Sequence, residues 1–270
     1  MTRSFGHEHP GAMGFLTDAT LCIGCKACEV ACKQWNELPA DGDAALSARS
    51  YDNTGDLGAT TWRHVAFIER AATDEAPFAW LMLSDVCKHC VHAGCMEACP
   101  TGAIVRTEFD SIFIQPDICN GCGYCVPACP FGVPQLDQDD GLVHKCTLCY
   151  DRLRGGLQPA CATACPTDSI LFGPVTELRS IGRSRVESLK DRGVQKASLY
   201  GDTSLGGTNG IGGLNAMFVL NDEPELFNLP AAPSLPQRTT GPAFLATLLS
   251  GACFALLGAA AFRATKRGED

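Results

Sequence analysis

The chain has 270 residues, 46% of them hydrophobic, and a formal net charge of −9. That length allows one large domain or two small ones with an appendage, and the negative balance excludes a nucleic-acid binder, which needs a basic face. Seventeen cysteines leave two explanations, a disulfide scaffold or metal sites. Disulfide scaffolds are short and secreted, whereas this chain is long and opens MTRSFGHEHP, with no apolar signal region. Its single Arg3 also falls short of a twin-arginine signal.

In chain order, residues 1–18 read as a loose arm. His7 and His9 are metal-capable there, but an exposed tail is the simpler reading. The first cysteine motif is Cys22-x2-Cys25-x2-Cys28-x3-Cys32. An insertion of 54 residues follows, in which 62–69 and 78–83 are predicted strands of a hairpin. The second motif is Cys87-x2-Cys90-x4-Cys95-x3-Cys99, followed by Pro100. Segments 103–106 and 111–114 flank a turn at Phe109 and Asp110, a second small hairpin. The third motif is Cys119-x2-Cys122-x2-Cys125-x3-Cys129, followed by Pro130. The fourth is Cys146-x2-Cys149-x11-Cys161-x3-Cys165, followed by Pro166. Segment 174–192 has helical spacing, with Val175, Leu178, Ile181, Val186 and Leu189 on one face and Gly193 as its stop. A Gly-rich loop at 201–213, a strand at 217–220 and an acidic, Pro-rich linker at 222–237 come next.

The cysteine spacing has a physical reason. Three cysteines two residues apart lie on a tight loop whose thiolates converge on one iron–sulfur cube, while its N–H groups offset their charge. The fourth, three residues on, starts a helix facing away and so ligates the other cluster of a pair. The proline after it turns the chain outward. The first and third motifs have bacterial ferredoxin spacing, and the other two are that pattern with insertions. Structural zinc is the alternative, and with it a zinc-stabilised interaction protein. Zinc, however, commonly takes two separated Cys-x2-Cys pairs, which is not this layout. The leftover Cys253 sits in an apolar run and reads as a small, inert hydrophobe.

From Thr239 to Phe262 there are 24 residues without a charge, enough to span a bilayer. Gly251, Ala255 and Gly258 or Ala259 fall on one side, where small residues let another membrane helix approach. Arg263, Lys266 and Arg267 follow directly, whereas only Arg238 closely precedes the run. By the positive-inside rule the tail 263–270 is then cytoplasmic, and the cluster domain is periplasmic on a single-pass anchor in the inner membrane. Without an export signal of its own, the chain would leave as a folded complex on a partner's signal.

Four cysteine motifs in this order resemble the four-cluster electron-transfer subunits of molybdenum or tungsten oxidoreductases. The finer resemblance is to the beta subunit of membrane-bound formate dehydrogenase. It is carried by CIGCKACEVACKQWNE (22–37), YDNTGDLGATTW (51–62), CKHCVHAGCMEACPTGAI (87–104), CNGCGYCVPACPFGVP (119–134), KCTLCYDRLRGGLQPAC (145–161) and CPTDSILFG (165–173). The later ELRSIGRSRVESLKDRG and LYGDTSLGGTNG and the terminal apolar run also resemble that subunit. The cysteine motifs alone do not separate the subfamilies, so an equivalent subunit of a dimethyl sulfoxide or sulfur-compound reductase is the alternative.

The resemblance implies an α+β fold of two bacterial-ferredoxin-like double-cluster modules with insertions, plus one C-terminal transmembrane helix. The domain reading is an arm (1–18), a cluster domain (19–173) with an inserted hairpin (34–86), an extension (174–221), a linker (222–238), the membrane helix (239–262) and the tail. Implied partners are a molybdopterin catalytic alpha subunit, a cytochrome b gamma subunit that reduces quinone, and membrane lipid. No pterin site, haem ligand pair or nucleophile–base arrangement is visible, so the chain is not itself a catalyst. The nitrate reductase type carries a Trp in the third motif; Cys122 is intact here, so four [4Fe–4S] clusters are expected.

By the ferredoxin crossover, Cys22, Cys25 and Cys28 share a cluster with Cys165, and Cys32 joins Cys146, Cys149 and Cys161. Likewise Cys87, Cys90 and Cys95 pair with Cys129, and Cys99 joins Cys119, Cys122 and Cys125. Lys33, Lys88, Lys145 and Arg152 flank these ligands and are candidates for setting reduction potentials, since positive charge favours the more negative, reduced cluster.

Overall fold

The structure, a computed structural model, describes residues 11–40, 51–52, 54–72, 77–202 and 210–267, with the backbone alone for 239–243 and 260–267. His7 and His9 lie outside the described residues, as does most of the Gly-rich loop.

Of the stretch read as a loose arm, residues 1–10 lie outside the described residues, and the reading is corrected at β1 (Met13–Asp18), which is a strand. Phe15 and Leu16 are buried, and the strand makes two sets of ladder bonds with distant strands, partners the local sequence cannot announce. Next come α1 (Ala27–Trp35), then the long inserted hairpin β2 (Arg63–Arg70) and β3 (Ala79–Val86), paired Arg63 to Val86 through Arg70 to Ala79. The second motif forms the short helix α2 (Gly94–Glu97) and runs into β4 (Ile104–Arg106) and β5 (Ile112–Ile114). Asp110 turns that hairpin at φ 62°, held by Asn215, whose side chain donates to the Asp110 carboxylate at 2.9 Å.

The third motif contributes α3 (Cys125–Ala128), followed by a two-residue ribbon, β6 (Gln135–Leu136) and β7 (Val143–His144). The fourth motif straddles α4 (Tyr150–Arg154) and α5 (Ala160–Thr163). Then follow β8 (Ile170–Pro174), α6 (Val175–Asp191), β9 (Ser198–Tyr200), β10 (Ala216–Leu220) and α7 (Pro236–Arg267).

One four-stranded sheet, in the order β8-β1-β10-β9, ties the two ends of the cluster region together. Here β1 lies antiparallel to β8 and parallel to β10. Every residue of β10 is buried, because the cluster core packs on one face and α6 on the other. Helix α6 follows the predicted face closely, with Val175, Leu178, Val186 and Leu189 buried and a positive-φ Gly193 beyond its end. Ile181 is a correction, being 48% exposed, while Gly182 takes the buried position against Leu199 and Leu16. A side chain at 182 would clash there; the helix turns its glycine, not its isoleucine, toward the sheet.

The stretch read as a linker is also corrected. Residues 224–227 form a 3₁₀ turn, and Phe227, Leu229 and Leu235 are buried in the main core. Pro-rich composition marked irregular backbone correctly, but the apolar side chains anchor it.

The expected membrane span 239–262 falls on α7. Among the described residues, no helix is long and apolar enough to cross a membrane. Its described side chains, 244–259, include Phe244, Leu245, Leu248, Leu249, Phe254, Leu256 and Leu257, all exposed, as is Cys253.

Candidate iron–sulfur sites

The sixteen motif cysteines gather into four groups. A cavity walled by Cys22, Cys25, Cys28 and Cys165 also touches Val65, Ser84 and Ile170; we call it site I. Cys32, Cys146, Cys149 and Cys161 form site II, where each of Cys32 and Cys146 has Cys149 and Cys161 as electrostatic neighbours. Site III is a cavity walled by Cys87, Cys90, Cys95 and Cys129, with Lys88, His89 and Lys145 on its lining. Site IV is walled by Cys99, Cys119, Cys122 and Cys125. No single motif supplies four walls of any cavity; in each, the fourth cysteine comes from another motif.

Local backbone explains the convergence. Each motif opens Cys-x-x-Cys, and the residue before the second cysteine always has positive φ: Gly24 at 67°, His89 at 44°, Gly121 at 69° and Leu148 at 61°. This left-handed residue folds the two thiols to one side, and a loop amide can then reach a sulfur; Leu148 N–H donates to Cys146 Sγ at 3.4 Å. Glycine adopts such a φ without steric cost, whereas His89 and Leu148 each cost roughly 1–2 kcal/mol there. Both are fully buried, and the His89 ring is pinned, its Nδ1 accepting from Ile112 N–H at 3.0 Å.

The crossover is built by helix pairs. Helix α1, from the first motif, packs on α5 from the fourth, and α2 packs on α3. Trp35 closes the first pair of motifs, its indole donating to Asp151 at 2.7 Å while Arg152 stacks 4.2 Å from its ring. At the second pair, a Cβ on Gly94 would lie 2.3 Å from the Ala128 carbonyl oxygen, so only glycine lets α2 and α3 approach this far.

The thiols report strong desolvation. Burial pushes Cys32 and Cys95 up to about 12, and Cys28, Cys125 and Cys149 up to about 11. Neighbouring cysteines push Cys32 the same way, while Arg63 opposes the rise at Cys28. Cys99 and Cys165 go the other way. Burial raises them, but hydrogen bonds outweigh it, from Thr101, Ile104 and Ala103 at Cys99 and from Thr167, Ile170 and Ser169 at Cys165. Cys-Pro-Thr thus recurs at 99–101 and 165–167 with one job, a threonine steadying the sulfur two residues back. That repeat is visible in the sequence; its meaning emerges only with the hydroxyls at the thiols.

None of the seventeen cysteines is paired in a disulfide. Four cysteine thiols brought together from two motifs, several of them buried, are costly as free thiolates and are the donor set of a [4Fe–4S] cluster. The residues therefore fit the group. Burial follows a gradient: Cys25 of site I and Cys122 of site IV are exposed, whereas all four cysteines of site II are buried. Sites II and III adjoin, Cys87 being among the electrostatic neighbours of Cys146.

The four flanking cations divide. Lys88 and Lys145 are buried, and both line site III. Lys33 instead donates to the Pro39 and Thr60 carbonyls; Arg152 donates to the Gln158 carbonyl, and its charge opposes the rise at Cys149 of site II. Two buried groups escaped the sequence reading, Arg63 and Ser84. Strand alternation could have flagged Arg63, which shares the inward face of β2 with Val65.

Two matches to the 4Fe-4S dicluster domain family cover residues 21–104 and 78–175. They follow the sequence, whereas the sites pair the first motif with the fourth and the second with the third. The formate dehydrogenase iron-sulfur subunit of Haemophilus influenzae is 40% identical over 237 residues, covering 86% of this chain and 73% of that protein. The nitrate-inducible formate dehydrogenase iron-sulfur subunit of Escherichia coli is 39% identical, over 84% of this chain and 76% of its own length. A subunit of the anaerobic dimethyl sulfoxide reductase of Escherichia coli is 36% identical, but over only 62% of this chain and 75% of its own length. The likeness to the formate group extends over more of this chain than the likeness to the dimethyl sulfoxide reductase subunit. With four thiol-walled sites, four [4Fe–4S] clusters and this likeness along most of its length, the chain belongs to the family of formate dehydrogenase iron–sulfur subunits, which carry electrons and are not catalytic.

Proposed function

We propose that this subunit conducts electrons in the order site I, site II, site III, site IV, from a molybdopterin catalytic subunit to a membrane cytochrome b that reduces quinone. The observation that carries the order is the burial gradient together with the electrostatic influence of Cys87, in site III, on Cys146, in site II. Each bound cluster supplies reversible one-electron storage. The chain's own residues fix the cysteines, exclude water from the middle of the series and leave its two ends open.

The ends carry apolar side chains suited to docking. Ile23 and Val30 are exposed within the first cysteine motif, and Ile118 and Tyr124 are exposed at the third. Helix α7 leaves from the site III and IV half: Gln237 donates to the Gly94 carbonyl at 2.7 Å, and Arg238 pairs with Glu97 at 3.5 Å. That attachment supports site IV on the membrane side and site I against the catalytic subunit.

In this reading 239–262 anchors the chain beside the cytochrome. Its support is the uncharged run, the basic tail and a described stretch that exposes large apolar side chains. The basic tail then lies in the cytoplasm and the cluster domain in the periplasm. The test is purification of the complex through this chain from membranes, with identification of the large subunit, its substrate and any haem protein. A soluble complex without a cytochrome would refute the membrane half of the reading. A large subunit without formate-dependent dye reduction would refute the catalytic half.

A further inference from the structure

The inserted hairpin delivers a cation to the middle of the wire. Arg63, the first residue of β2, is 1% exposed. Its Nη1 donates to the Ser84 hydroxyl at 3.0 Å, and its guanidinium carbon sits 4.7 Å from the centre of the Phe15 ring. Nε and Nη2 are buried and without a hydrogen-bond partner among the described residues. No carboxylate pairs with Arg63 among those residues either.

Burying a cation and leaving two of its donors unmatched is strongly unfavourable unless an anion completes the environment. The largest charge influences on Arg63 come from thiols of two sites: Cys161, Cys146 and Cys32 of site II, and Cys28 of site I. A thiolate-held cluster is anionic and becomes more so on reduction, and charge and hydrogen bonds at its sulfurs help set its potential. We propose that Arg63 is the shared counter-charge of sites I and II, holding the reduction potentials of both up. It does so through its buried charge, with Nε and Nη2 left unmatched by any described protein group.

Ser84 extends the effect to site I. Its oxygen accepts from Arg63, which leaves its own proton for Cys28 Sγ, 3.2 Å away. The hairpin, with Arg63 on one strand and Ser84 on the other, is then the element that tunes the first half of the wire. Sites III and IV take no part; the cations at site III are Lys88 and Lys145.

The inference rests on the proposed ligand grouping, and one experiment separates the two. The complex is purified with Arg63→Gln, Arg63→Lys or Ser84→Ala, iron is counted, and each cluster is titrated by EPR, with signals assigned from single Cys→Ser variants. Arg63→Gln is expected to lower the midpoint potentials of sites I and II and leave III and IV unmoved. Arg63→Lys keeps the charge but not the planar fork, so a smaller drop is expected. Ser84→Ala should lower site I alone. Unchanged potentials at I and II in Arg63→Gln, or an equal shift at all four sites, would overturn the proposal. If Arg63→Gln fails to assemble its clusters, Arg63→Lys decides by the same criterion. Cys→Ser assignments that contradict the four groups would instead refute the grouping.

Discussion

Lys145 precedes Cys146 of site II in the chain, yet its ammonium donates to the carbonyl of Ile112, on the wall of site III. Its positive charge is also the largest influence opposing burial at the Cys95 thiol. The same ammonium donates to the Cys146 carbonyl at 3.0 Å, so the lysine stands between the two sites, with its charge felt at the Cys95 thiol of site III. Lys145→Ala should therefore lower the potential of site III more than that of site II. A redox titration of the complex followed by EPR reads this, and a drop confined to site II would contradict it.

The crossover makes a paired prediction. Cys165→Ser should disable the site of Cys22, Cys25 and Cys28, whereas Cys32→Ser should disable the site of Cys146, Cys149 and Cys161. The lesion therefore lands, each time, on the site whose other ligands belong to the opposite motif. Iron content and the lost or altered EPR signal identify the damaged site. Loss of the motif's own site in both variants would defeat the grouping.

Gly94 offers a packing test. An added methyl would meet the Ala128 carbonyl at 2.3 Å and the Leu235 side chain at 2.9 Å. Forcing α2 off α3 should cost about 1–3 kcal/mol, the usual penalty of overpacking. Because these helices carry cysteines of sites III and IV, Gly94→Ala should lower iron occupancy there and leave sites I and II filled. Thermal unfolding and iron analysis would both register the change.

Helix α7 can be removed where the core ends. Gln237 and Arg238 still bind the cluster domain, so the cut belongs after Arg238. The truncated chain should keep all four clusters and support dye reduction by the catalytic subunit, while losing membrane attachment and quinone reduction. Loss of clusters would make the helix part of the fold.

Much of the site was legible because its chemistry is local. A Cys-x-x-Cys loop with a left-handed residue is a short-range object, and the three-residue step to the fourth cysteine already implies a second site. The hairpins and α6 were legible for the same reason, through alternation or helical spacing over a few turns. What escaped was non-local. β1 is a strand because β8 and β10 flank it, and Phe227 and Leu229 are core because the chain folds back over the main cluster. Arg63 looked like an ordinary charged strand residue until the hairpin's inner face was placed against the thiols of two sites.

The nesting of the motifs also bears on how the protein is made. The inner pair of sites, III and IV, draws its cysteines from one continuous stretch, Cys87 to Cys129. The outer pair needs Cys22 and Cys165 together, and β1 waits for β8 and then for β10 at Ala216–Leu220. As the ribosome releases the chain from its N-terminus, the inner sites can receive iron before the outer ones are complete. The N-terminal cysteines meanwhile stay uncommitted, the longest-waiting thiols of a nascent chain and those most in need of protection from oxidation or the wrong metal.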